Sequence, residues 1–279
     1  MAVTLGEFVS WLEGLIPPAF QEHYDNSGLQ AGDPSVEIDS VLLTLDVTPA
    51  VMEEAVSLGC NLVVSHHPLI FTPLKRLTYR SDAERSVAAA LRHDIAVYSA
   101  HTSFDNILHG VSHILAQKLG LERIRVLVPL TGKLSKLVTF VPVTHAVMVR
   151  DALFTAGAGH IGNYDRCSFN VMGEGTYRPG EGADPFAGHA GEDHTEPEVR
   201  IEAVMPSHLA GACVRALLEA HPYEEVAYDI IALENEYHGA GAGAIGTLPA
   251  PLTGSELLAR LKLLTGMPCI RYSGDPSRP

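Results

Sequence analysis

No apolar run in this 279-residue chain approaches the ~18 residues needed to cross a bilayer. The opening MAVTLGEFVSWLEGL carries acids where a secretory leader carries basic residues, so neither an anchor nor a signal peptide is expected. Cysteine is sparse: Cys60, Cys167, Cys213 and Cys269 are scattered without a C-x-x-C pair, which argues against a zinc ribbon and a disulfide framework and fits reduced thiols in the cytoplasm. Basic residues are few as well, 19 against 33 acids, and they form no cluster. A formal charge of −14 makes duplex nucleic acid a poor partner. No P-loop and no G-x-S-x-G elbow occur, and no cysteine neighbours a base, so covalent nucleophilic catalysis has no support. What is present is ordinary globular composition, 46% hydrophobic and 19% charged, with fourteen histidines as the unusual item.

At ~100–200 residues per domain the length predicts two domains. Apolar spacing at Leu5, Phe8, Val9, Leu12, Leu15 and Ile16 predicts a helix stopped by Pro17 and Pro18, followed by a turn-rich stretch over 23–34. Three short, unalternating apolar runs over 41–46, 61–65 and 95–100 predict parallel strands covered on both faces. Helices are expected between them over 49–58, with Pro49 behind Thr48, and over 82–93. This βαβαβ order brings all three strand ends to one sheet edge, where ligands of open α/β sheets collect.

After Arg125 the pattern changes. A strand over 136–141, a helix over 145–156, strands over 167–172 and 199–205 around a polar loop, a helix over 207–220 and a strand over 226–233 give βαββαβ, the ferredoxin-like order. An internal repeat agrees: Val141-Pro142 with Tyr164-Asp165 returns as Met205-Pro206 with Tyr228-Asp229. The expected division is therefore an α/β domain over 1–130, an inserted α+β ferredoxin-like domain over 131–238, and a return to the first domain over 239–279. GAGAGAIG reads as a flexible hinge, 256–264 as a helix and 269–272 as a last strand. Gly241, Gly243 and Gly246 match G-x-G-x-x-G, but no βα unit surrounds them, so dinucleotide binding is not expected.

Chemistry concentrates at Ser65-His66-His67-Pro68, closing the second parallel strand, and at Ala100-His101-Thr102-Ser103-Phe104-Asp105, closing the third. The topology brings these to one edge, and imidazoles with a carboxylate suit borderline ions such as zinc, iron(II), manganese or cobalt better than calcium or magnesium. The competing reading has His66 and His67 closing a strand and Asp105 capping a helix. Asp46 is expected behind the ligands rather than among them. His160, His221, Glu224 and Glu225, at equivalent ends of the duplicated halves, read as serving turns and subunit contacts before a ligand pocket.

DNSGLQ at 25–30, LTLDVTPAVMEEA at 43–55, NLVVSHHPLIF at 61–71 and AHTSFDN at 100–106 resemble the Nif-three-like dinuclear metal family, the GTP cyclohydrolase 1 type 2 homologues. The segment holding AGAGHIGNYDRCSF and HPYEEVAYD resembles the extra domain of its longer members. The resemblance implies metal ligands at His66, His67 and Asp105, with His101 beside them as a further ligand or proton-transfer group. It implies up to two divalent transition metals per subunit, a homohexameric toroid, and hydrolytic opening of a purine nucleotide such as GTP. The alternative is a non-catalytic metal-binding scaffold or regulator. Two further family ligands, a His and a Glu four residues later, belong to a C-terminal element with no counterpart in these residues, where no histidine follows His238. The expectation is three firm ligands and one possible one, with a sheet edge left unpaired if that element supplies further strands of the first domain's sheet.

Overall fold

The structure, a computed structural model, describes residues 2–278. In chain order its elements begin with β1 (Val3–Thr4), α1 (Leu5–Leu15), β2 (Gly28–Ala31), β3 (Glu37–Ile38), β4 (Val41–Thr44), α2 (Pro49–Leu58) and β5 (Leu62–Ser65). Then come α3 (Asp82–Arg92), β6 (Ala96–Ser99), α4 (Thr102–Asn106), α5 (Val111–Lys118) and β7 (Glu122–Leu130). These are followed by β8 (Leu134–Pro142), α6 (Ala146–Thr155), β9 (Phe169–Tyr177), β10 (His194–Pro206), α7 (Ala210–Ala220) and β11 (Tyr228–Leu233). The chain finishes with β12 (Tyr237–Thr247) and α8 (Gly254–Thr265). They form two compact units: one runs to Pro129 and resumes at His238, the other is Leu130–Tyr237.

In the first unit the helix starts follow from local chemistry. Thr4 and Glu7 close a reciprocal capping box on α1, and the Thr48 hydroxyl accepts from Val51 N–H ahead of Pro49. Gly59 ends α2 in the left-handed conformation at φ 69°. The sheet has the order β2-β6-β5-β4, with β4, β5 and β6 parallel and β2 antiparallel beside β6. Its faces divide by alternation. Val63 and Val97 pack with Met52, Ala55, Val87 and Ala90 from α2 and α3, while Leu62, Ala96 and Tyr98 pack with Leu5 and its α1 neighbours.

In this unit three expectations need correction. β4 is not covered on both faces: it is a terminal strand of its sheet, and Leu43 is 76% exposed. GAGAGAIG is not a hinge but part of β12, hydrogen-bonded to β7. Its glycines permit close approach of the two backbones rather than flexibility, since a Cβ on Gly241 would lie 2.1 Å from the Val128 carbonyl oxygen. Residues 269–272 form no strand.

The second unit is βαββαβ with the antiparallel order β11-β8-β10-β9, the ferredoxin-like arrangement. The sequence repeat maps onto its halves, with β8 ending at Pro142 and β10 at Pro206. Leu137 and Val141 of β8 and Val199, Ile201 and Met205 of β10 meet Val149, Leu153, Cys213 and Leu217 of the two helices. The alternate residues, Phe140 and Glu198 among them, therefore lie on the other sheet face. The loop expected over 173–196 is shorter than that: the β9–β10 ladder runs from Phe169 against Glu202 to Tyr177 against His194 and leaves 178–193 as the connection.

Candidate metal centre

The parallel ladder continues past the strands and sets the site. His66 N–H donates to Thr44 O (3.2 Å), His67 N–H to Leu45 O (2.9 Å) and Ala100 N–H to Ser65 O (2.9 Å). Beyond these bonds the pleat breaks: Ser65 Oγ donates back to the His67 carbonyl (2.8 Å) and lies 2.8 Å from Ser99 Oγ. Both histidines after β5 and the one after β6 consequently turn toward the same space. The ring centroids stand 5.1 Å (His66–His67), 5.3 Å (His66–His101) and 5.5 Å (His67–His101) apart. One ligand atom from each of the three lies within 4.8 Å of the others.

The second nitrogen of each ring decides what the first can do. His66 Nδ1 lies 3.1 Å from the Ala100 carbonyl, His67 Nδ1 2.7 Å from Asp46 Oδ1 and His101 Nδ1 2.8 Å from Asp25 Oδ1. Every one of these partners accepts. Each Nδ1 therefore carries the proton, and each Nε2 presents a lone pair. An acceptor behind every imidazole is the outer-shell arrangement that orients metal-ligating histidines, so the donor set fits a divalent transition ion.

Asp25 is the most constrained of these partners. Its side chain is fully buried, and it receives Asn26 N–H (2.7 Å), Thr102 N–H (3.0 Å), Ser27 Oγ (3.0 Å) and the Thr102 hydroxyl in addition to His101. Burial pushes its carboxyl up, but the bonds from Thr102, His101 and the Asn26 backbone outweigh burial and hold it at about 2. It is an anion at neutral pH.

His66, His67 and His101 are thus brought together, and Asp105 joins them at the margin, its Oδ1 3.8 Å from His66 Nε2. Asp46 lies against His67 Nδ1 at 2.7 Å. Sequence reasoning gave Asp25 no role. The signal was available in its place at the head of DNSGLQ, the loop that leads into β2 beside β6.

The family model that describes Duf34/NIF3 (NGG1p interacting factor 3) matches residues 3–279. A GTP cyclohydrolase 1 type 2 homolog of Halalkalibacterium halodurans is 40% identical over 277 residues, which span 99% of this chain and 74% of that protein. Its namesake in Bacillus subtilis is 40% identical over 270 residues, 96% of this chain and 72% of that one. A Bacillus cereus protein related to NIF3 superposes with a TM-score of 0.86 at 39% identity, covering 100% of this chain and 74% of the other.

Proposed function

The chain belongs to the Duf34/NIF3 family, and from that premise we propose that it is a divalent-transition-metal protein acting as a hydrolase on a purine nucleotide, in the manner of GTP ring opening. One observation carries the reading: three imidazoles share one space, each with Nδ1 given to an acceptor, and Asp105 lies 3.8 Å from the Nε2 of His66. His66, His67 and Asp105 are proposed as ligands. His101 is proposed as a further ligand or as the group that accepts a proton. A bound divalent ion would supply Lewis acidity and water of near-neutral pKa. The chain's own residues do the rest. Asp46 and the Ala100 carbonyl fix the His67 and His66 rings, and ionised Asp25 secures the Nδ1 proton of His101, so that His101 Nε2 receives a proton rather than releasing one. In the same reading the chain is a cytoplasmic homohexamer whose segment 131–238 is an inserted domain.

A metal-binding scaffold without catalysis is the second reading, favoured by a group of three histidines that is ample for one ion and thin for two. Elemental analysis of the purified chain and of His67→Ala, with GTP and simple phosphoesters as substrates, separates the two. Turnover that vanishes with the metal in His67→Ala supports the hydrolase. Turnover indifferent to chelator refutes it, and metal without turnover leaves the scaffold.

A further inference from the structure

The second unit contains a cavity of about 480 Å³, within the range of small-molecule sites. Four of its walls are rings: Phe140, Tyr177, Phe186 and Tyr223. Tyr223 stands 5.9 Å from Tyr177 and 6.0 Å from Phe186, centroid to centroid. Into this apolar space the β10 residue Glu198 brings a carboxylate that is 7% exposed. Three more acids, Glu174, Glu224 and Glu225, line the same cavity, and among the described residues no lysine, arginine or histidine does.

Glu198 is built into place. Tyr223 Oη donates to its Oε1 at 2.8 Å, and its Oε2 lies over Gly175, where a Cβ would come within 2.3 Å. Burial and the neighbouring Glu198 both raise the Tyr223 phenol, so it stays a donor. The adjacent His221 offers no counter-charge. Its Nδ1 accepts Tyr223 N–H (3.1 Å), so its Nε2 donates to the Phe140 carbonyl (2.9 Å) and the ring is neutral. A buried carboxylate with one hydrogen-bond donor and no cation is costly unless something else satisfies it.

We propose that this cavity binds a protonated alkyl amine. An ammonium group answers both features of the wall: its N–H bonds satisfy Glu198, and its charge and methylenes lie against electron-rich ring faces. Phosphate-bearing ligands meet only negative charge here. Glu224 and Glu225, which sequence alone favoured as turn residues, belong to the acidic lining. The proposal is independent of the metal centre, which lies in the other unit.

The test is calorimetric titration of the full chain at ~0.15 M salt, where diffuse attraction is screened beyond about 8 Å. Spermidine and n-butylammonium are the probes, and 1-butanol is the neutral control. Both amines are expected to bind and butanol to give no heat. Glu198→Gln and Phe186→Ala should each weaken the amines at least about tenfold. Phe186 is 47% exposed, so its truncation leaves the fold intact even if Glu198→Gln does not. Absence of amine binding up to ~10 mM, below which specific sites ordinarily bind, overturns the proposal. So does unchanged binding in both variants, which would assign the heat to the overall negative charge.

Discussion

Replacing Asp25 with Asn keeps the shape of the side chain and removes the charge on which the loop before β2 and the start of α4 converge. A carboxyl held at about 2, against its ordinary 3.8, contributes about 2 kcal/mol at neutral pH. The sign follows from the direction. The folded carboxyl binds its proton less readily than the unfolded one, so the stabilisation is present above pH 3.8 and is lost as pH falls toward 2. The amide must also turn an N–H toward donors that the carboxylate accepted, Thr102 N–H and the Ser27 hydroxyl among them, or toward His101. At roughly 2–4 °C per kcal/mol for a unit of this size, Asp25→Asn should melt about 5–10 °C below the parent. The assay is calorimetry on chelated protein at pH 7 and again down to pH 2.5, so that metal binding does not enter. The variant should show a shallower loss of stability across the acid range. Coincident melting at pH 7 with identical acid limbs would refute the account of Asp25 as a buried, multiply bonded anion.

Other outcomes follow from the same structure. Asp46→Ala should lower affinity for added zinc about 10–100-fold in a competition titration, because His67 loses the acceptor that orients it; unchanged affinity would mean that Asp46 does not orient a ligand. Saturating metal at about a hundred times its Kd should raise the unfolding free energy by about 2.7 kcal/mol over chelated protein, measured by urea titration, and His66→Ala should abolish that increment. Leu217→Ala opens a cavity in the core between α6, α7 and their sheet and should cost about 2–5 kcal/mol by chemical denaturation, with metal content unaltered. Gly241→Ala should cost about 2 kcal/mol or more, since its Cβ collides with the Val128 carbonyl; a neutral effect would mean that the β7–β12 ribbon does not hold its observed register.

The parallel strands were legible because β5 and β6 are buried on both faces and so lack the alternation of a half-exposed strand. Their histidines followed, since parallel strands connected by crossover helices must end together. β4 looked the same by hydrophobicity, yet Leu43 points to solvent: composition reports what a strand contains, whereas its neighbours decide what is covered. β12 was illegible for the opposite reason. Glycine at alternate positions carries no hydrophobic period, and only the partner strand reveals that missing side chains were making room for a backbone. Asp25 escaped because its bonds to His101 and Thr102 join loops 76 and 77 residues apart, a relation that no local pattern encodes. The cavity beside Glu198 depends likewise on four separated stretches of chain meeting on one sheet face.

The β7–β12 ribbon has an evolutionary consequence. Leu130–Tyr237 leaves the first unit at the end of one strand of this ribbon and re-enters at the start of the other. Because those strands are bonded neighbours, the gap between them can be closed by a short turn as readily as by a whole domain, with the pairing of the two strands kept. Gain or loss of the second unit is then one event at the tip of a hairpin. Its removal there, acidic cavity included, would take none of the three histidines with it.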